Sequence, residues 1–205
     1  VILTCYRIGF FVVGPSVFSA YLLLEFSGHQ AVGVEGKSKL GGMLRYGIPA
    51  YRFPRERLQE DLDAILSTGV EVHLNSRIGN GEGEIPFDKL REEFDAVYIA
   101  IGAHTDKKIG IPGEDSQGVI SAVEMLREIG EDRMPDFKDK TVVVIGGGNV
   151  AMDCTRSSIR LGAKKVIIAY RRRQDDMTAL PEEIEGAIAE GAELYGLKAP
   201  HHIEA

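Results

Sequence analysis

Tryptophan is absent, and only two cysteines, Cys5 and Cys154, occur among the 205 residues, so this chain alone can build neither a disulfide framework nor an iron–sulfur cluster. A chain so poor in cysteine is expected in a reducing cytoplasm. Basic residues are outnumbered 24 to 31 and the net charge is −7, which argues against non-specific nucleic-acid binding, since phosphate contacts need a basic face. The five histidines, His29, His73, His104, His201 and His202, lack the spacing of zinc ligands. The uncharged run 8–24 has the hydropathy of a leader or a marginal membrane span, but Gly14-Pro15 interrupts it. It divides naturally into a strand over 8–13 and a helix over 16–26, so no membrane anchor is expected.

What the chain does have is 44% hydrophobic residues and 24 glycines, enough core for one large or two small domains. Residues 141–173 read as strand, glycine turn, helix, strand and basic cluster. The β-branched run 141–145 suits a buried parallel strand, and Gly146, Gly148 and Ala151 then occupy the G-x-G-x-x-G/A positions that open a helix. Gly146 permits the tight turn and Gly148 lets backbone approach a pyrophosphate. Ala151 lets the helix pack close to the strand, with the free N–H groups of its N-terminus facing the anion. The helix closes at Gly162, and the partner strand 165–169 ends in Tyr170-Arg171-Arg172-Arg173 where a site for NAD would place a carboxylate. Guanidinium forks suit a 2′-phosphate, so this half-site points to NADPH. Cys154, one residue past Asp153 on that helix, reads as a small buried hydrophobe.

The same grammar occurs earlier in the chain. Strand 8–13, a turn at Gly14, a helix, Gly28-His29 and strand 30–34 lead to Glu35, which is placed where an acidic residue takes a ribose hydroxyl. Gly41-Gly42, the segment Tyr46-Gly47-Ile48-Pro49, a helix over 54–68, a strand over 70–74 and a strand over 96–101 follow. Because residues 105–118 are turn-rich, the expected domain boundary is there, with domains 1–115 and 116–205. The expected class is α/β: two Rossmann-like three-layer nucleotide-binding domains with parallel sheets, both incomplete, the second at its C-terminus, where a strand over 192–197 is expected.

Five blocks in order, KLGGMLRYGIPAYRFPRE (39–56), FDAVYIAIGAH (94–104), GIPGED (110–115), VVVIGGGNVAMD (142–153) and YRRRQDDMTALPEEIEGAIAEG (170–191), resemble the small-subunit (β-chain) type of NADPH-dependent glutamate synthase and related pyridine nucleotide–disulfide oxidoreductase-like flavoproteins. The resemblance covers about residues 7–203. It implies FAD in the first domain, NADPH in the second, and hydride transfer from nicotinamide to flavin. Electrons then leave through iron–sulfur clusters, on segments missing here or on a partner, to a larger electron-accepting subunit, so a hetero-oligomer is implied. Carried onto this chain, it places Gly14 at the FAD turn, Glu35 on the FAD ribose, and Gly41, Gly42, Arg45, Gly47 and Ile48 along the ribityl and ring region. Backbone at Val72 meets the adenine, and Ala100 to Gly102 close over the pyrophosphate. For NADPH the matching residues are Gly146, Gly148, Asn149, Val150, Ala151 and Asp153, with Arg171 and Arg172 on the 2′-phosphate. No catalytic side chain and no metal ligand is implied, because the cofactors carry the reaction.

The chain departs from that pattern at its first fingerprint, whose three glycine positions fall on Val12, Gly14 and Val17. Valine resists the positive φ that glycine allows, and at the third position it adds branched bulk where helix and strand should touch. A site without FAD, a site binding it in altered form, and an error in this stretch of sequence are all compatible with that departure. Thr178 stands where the family usually has proline. The family's N-terminal cysteine-rich region and its returning FAD segment have no counterpart here, which reads as a fragment of a longer subunit. The functional expectation is an NADPH-dependent flavoprotein oxidoreductase subunit; the alternative is a non-catalytic NADPH-binding subunit that has lost FAD.

Overall fold

The computed structural model describes residues 5–11 and 14–204. They form two compact units, Val1–Ala103 and His104–Ala205. The division falls earlier than the expected 115/116, because the turn-rich segment after Ala103 groups with the second unit. Among the described residues no helix is long and apolar enough to cross a membrane.

The first unit is built on a parallel sheet of β1 (Arg7–Phe11), β2 (Gln30–Val34), β3 (Glu71–His73) and β4 (Ala96–Ile99), ordered β3-β2-β1-β4. The chain leaves β1 toward β2 on one side and returns to β4 on the other. The carboxyl end of β1 is therefore a switch point of the kind where open α/β sheets bind ligands. Alternation along β1 separates two cores. Phe10 packs with Val17, Phe18 and Tyr21 of α1 (Pro15–Phe26) and with Leu58 and Leu62 of α3 (Arg55–Leu66). Phe11 faces the other way, onto Val32, Val34 and the Leu90 and Phe94 region of α4 (Phe87–Glu93) and its end. This gives three layers. Burying Phe10 or Phe11 contributes about 2–3 kcal/mol each. A four-residue helix α2 (Met43–Tyr46) precedes α3. The strand expected over 8–13 is described only as far as Phe11, and that over 96–101 ends at Ile99, as the chain turns into the positive-φ Gly102.

The second unit repeats the half-fold with β5 (Thr141–Ile145), β6 (Lys165–Ala169) and β7 (Glu193–Tyr195), all parallel in the order β5-β6-β7. Helices α6 (Asn149–Arg160) and α7 (Pro181–Ala189) bury Met152, Ile184 and Ala187 against Val144 and Ile168. Helix α5 (Ala122–Gly130) packs Met125 and Leu126 on Cys154 and Val142. β5 is not the buried strand expected from its β-branched run. Among the described residues it pairs with β6 alone, and Val143 and Ile145 on its other face are 54% and 39% exposed. Four helices, α2, α4, α5 and α7, are not among the elements expected from the sequence. α5 begins at Ser121, whose hydroxyl accepts the Glu124 N–H at 3.2 Å, and α7 opens with Pro181 followed by Glu182 and Glu183.

Candidate dinucleotide sites

In the second unit the chain leaves β5 through Gly146 at φ 143°, and the Gly146 N–H donates to the Ala169 carbonyl at 3.1 Å, which ties the turn to the end of β6. A Cβ at Gly146 would stand 3.4 Å from that of Ala151, so turn and helix touch. Gly148 caps α6 in an extended conformation, φ −100° and ψ 173°, and its carbonyl accepts the N–H of Ala151 at 2.9 Å. Asn149 is engaged by its side chain: Oδ1 accepts the Leu180 N–H at 2.9 Å. The Ala179 N–H donates to the Gly147 carbonyl at 3.0 Å, and the Tyr170 hydroxyl to the Asp176 carbonyl at 2.8 Å. Segment 174–180 is thus strapped across the glycine turn. Val150 is 49% exposed, whereas Asp153 is buried.

The arginines lie on backbone fixed from the neighbouring strand end. Arg172 O accepts the Leu197 N–H and Tyr170 O that of Lys198, both at 2.9 Å. Arg171, Arg172 and Arg173 are all exposed, and the Arg172 guanidinium lies 5.9 Å from the Tyr170 ring centroid. The structure therefore brings Gly146, Gly148, Asn149 and Ala151 into one turn at the end of β5, with the cationic pair at the end of the adjacent β6. Tyr170 and the Ala179-Leu180 clamp were not read from the sequence, because their role depends on contacts across the fold. Cys154 is buried, and burial, with help from Asp153 and Asp106, pushes its thiol up to about 12.

In the first unit Gly14 caps α1 with φ −101° and ψ −175°, nearly the conformation of Gly148. Its carbonyl accepts the Val17 N–H at 3.1 Å as that of Gly148 accepts Ala151. Pro15 at the first helical position sacrifices no helical bond. Val12 lies outside the described residues. Val17 is fully buried among Phe10, Phe18 and Tyr21, so its bulk is taken up by core packing and α1 still starts at Pro15. Glu35 follows β2, is 3% exposed, and accepts the Lys37 N–H at 2.8 Å. The Tyr21 hydroxyl is buried with no partner among the described residues. Burial, with the Glu35 carboxylate adding to it, holds that hydroxyl well above the ordinary tyrosine value.

The remaining candidates of this unit fall on two loops and one strand. Gly41 and Gly42 have φ of 125° and 50°, and a Cβ on Gly41 would meet Leu58 at 2.9 Å. Arg45 is buried, with Nε donating to the Leu40 carbonyl at 2.6 Å and Nη2 to Gln59 at 2.9 Å, so its guanidinium braces the loop. Gly47 packs on Met43, and the Ile48 carbonyl accepts from Arg55 at 2.6 Å. Val72 pairs with Gly33 on the edge strand β3. The Ala100 N–H donates to the Phe11 carbonyl at 3.2 Å, while Gly102 turns at φ 67°. Gly14, Glu35 and Ala100 accordingly stand at the carboxyl ends of β1, β2 and β4.

The half-folds, each with a glycine-capped helix at the end of its first strand, define a nucleotide-binding α/β protein. Residues 19–202 match the family model described as pyridine nucleotide-disulphide oxidoreductase, and the chain belongs to that family. It is similar to the NADP(+)-dependent formate dehydrogenase subunit beta of Moorella thermoacetica, 41% identical over 189 residues that cover 91% of this chain and 26% of that protein. It is also similar to the glutamate synthase (NADPH) small chain of Escherichia coli (strain K12), 33% identical over 201 residues covering 93% and 42%. The chain spans less than half the length of either relative. A solved structure of Mycobacterium tuberculosis FprA in complex with NADPH aligns over 98% of this chain and 61% of that one, with a TM-score of 0.79 at 21% identity, which shows the shared fold.

Proposed function

We propose that this chain is the nucleotide-binding part of an NADPH-dependent flavoprotein oxidoreductase subunit, with FAD on the first unit and NADPH on the second. When bound, the two cofactors supply the redox chemistry, a hydride passing from the nicotinamide to the flavin. The chain's own residues bind and orient. Gly146 and Gly148 open the turn to a pyrophosphate, the α6 N-terminus offers N–H groups to it, and Arg171 and Arg172 offer forked donors to a 2′-phosphate. Gly14 and Glu35 offer the equivalent turn and ribose acceptor in the first unit, where, apart from Gly14 and its chain neighbours, no described atom lies within 4 Å of the place a Cβ on Gly14 would take. The acceptor would be iron–sulfur centres of a larger partner subunit in the cytoplasm; the subunit names of the relatives support a hetero-oligomeric setting.

The observation that carries this reading is the glycine turn at the end of β5 set beside an exposed arginine pair at the end of β6. Titration with NADPH and NADH tests it. Arg171→Ala with Arg172→Ala is expected to weaken NADPH by about a hundredfold, at about 1.5 kcal/mol per charged hydrogen bond, while leaving NADH almost unchanged. Equal loss for both nucleotides sinks the assignment. A second reading, a subunit that binds NADPH without FAD, is favoured by Val17, whose side chain fills core at the place where the fingerprint has a small residue.

A further inference from the structure

The second glycine of such a turn is small so that a pyrophosphate can occupy the space its side chain would take. In this chain another group borders that same space: the Thr178 hydroxyl lies 3.5 Å from the position a Cβ on Gly148 would hold. Thr178 is exposed, and its hydroxyl makes no hydrogen bond among the described residues. Its backbone is fixed on both sides. The Met177 N–H donates to the Gln174 carbonyl at 3.0 Å, the Ala179 N–H to the Gly147 carbonyl at 3.0 Å, and the Leu180 N–H to Asn149 Oδ1 at 2.9 Å. A short side chain on backbone fixed in this way has only its own torsion left to order when it meets a ligand.

We infer that Thr178 is a further binding residue of the second unit, whose hydroxyl donates to a pyrophosphate oxygen of the dinucleotide. The inference rests on the NADPH reading given above. A donor on the strap adds to the N–H groups of the α6 N-terminus, beside the space that Gly148 leaves open. A hydrogen bond to a charged acceptor at an exposed position corresponds to about a tenfold change in affinity.

The test compares the unsubstituted chain with Thr178→Val and Thr178→Ser by calorimetric titration. The probes are NADPH and 2′-AMP, which carries the 2′-phosphate but no pyrophosphate. Thr178→Val keeps the shape of the side chain and is expected to weaken NADPH about tenfold and leave 2′-AMP unchanged, with Thr178→Ser restoring NADPH to within about threefold. Unchanged NADPH affinity in Thr178→Val, or parallel losses of NADPH and 2′-AMP, overturns the inference while the NADPH reading stands. No NADPH binding by the unsubstituted chain overturns that reading and this one with it.

Discussion

Adjacent glycines in the turn after β5 have separable jobs, and substituting them one at a time shows it. Gly147 has ordinary backbone geometry, but a Cβ there would come within 2.7 Å of Tyr170 Cε2, 2.8 Å of Tyr170 Cδ2 and 3.0 Å of Met177 Cγ. Tyr170 is 7% exposed and its hydroxyl holds the Asp176 carbonyl, so the ring cannot step aside without loosening the strap. Overpacking of this kind costs about 1–3 kcal/mol. For a domain near a hundred residues, Gly147→Ala should therefore lower the Tm of the second unit by about 5–20 °C. Gly148 differs, because its Cβ would make only an ordinary contact with Thr178 at 3.5 Å and its extended backbone suits any residue. Gly148→Ala should cost less than about 1 kcal/mol as a poorer helix cap. Its methyl group nevertheless stands where the pyrophosphate is placed, and NADPH affinity should fall by about tenfold to a hundredfold. Thermal unfolding by circular dichroism without ligand, paired with NADPH titration, reads both effects. An unchanged Tm for Gly147→Ala, or full NADPH affinity for Gly148→Ala, refutes the reasoning.

Two further outcomes follow from the electrostatics of the second unit. Glu190 accepts from Arg160 and Arg156, which hold its carboxyl below the ordinary range, and Arg156 also reaches Glu183 at 2.8 Å, joining α6 to α7. A carboxyl lowered by folding contributes stability above its unfolded pKa and loses it as pH falls through the folded value. Glu190→Gln should thus be less stable than the parent near neutrality, with the gap closing below about pH 4; a gap that persists in acid would contradict the ion-pair origin. The thiols should divide sharply. Exposed Cys5 should react quickly with a thiol reagent at neutral pH, and Cys154, buried and pushed up to about 12, only after unfolding. Two fast thiols in the native chain would refute the packing of α5 on α6.

The β5–turn–α6–β6 unit was legible because each signal is local: a β-branched run, small residues at fixed spacing, then a second strand ending in arginines. That the sheets are parallel followed from the same grammar, whereas the strand orders were not read. The constraint on Gly147 was not legible, because what imposes it, Tyr170 and Met177, comes from distant parts of the sequence. Arg45 shows the same limit: the resemblance set it along the flavin, and its bonds to Leu40 and Gln59, which brace the loop, depend on contacts the sequence does not display. The pairing of β5 with β6 alone among the described residues was equally hidden, since a β-branched run does not say whether a neighbour lies on both sides. The α5 start, by contrast, was present as Ser121 three residues before Glu124 and went unread.

Flavin on the first unit is the central claim, and Val12 and Val17 make it the most exposed one. The most direct measurement is an absorbance spectrum of the purified native complex, followed by anaerobic addition of NADPH. The account expects oxidised-flavin bands that bleach as NADPH is added. A spectrum without flavin, from protein that still binds NADPH, would contradict it and leave a nucleotide-binding subunit in its place.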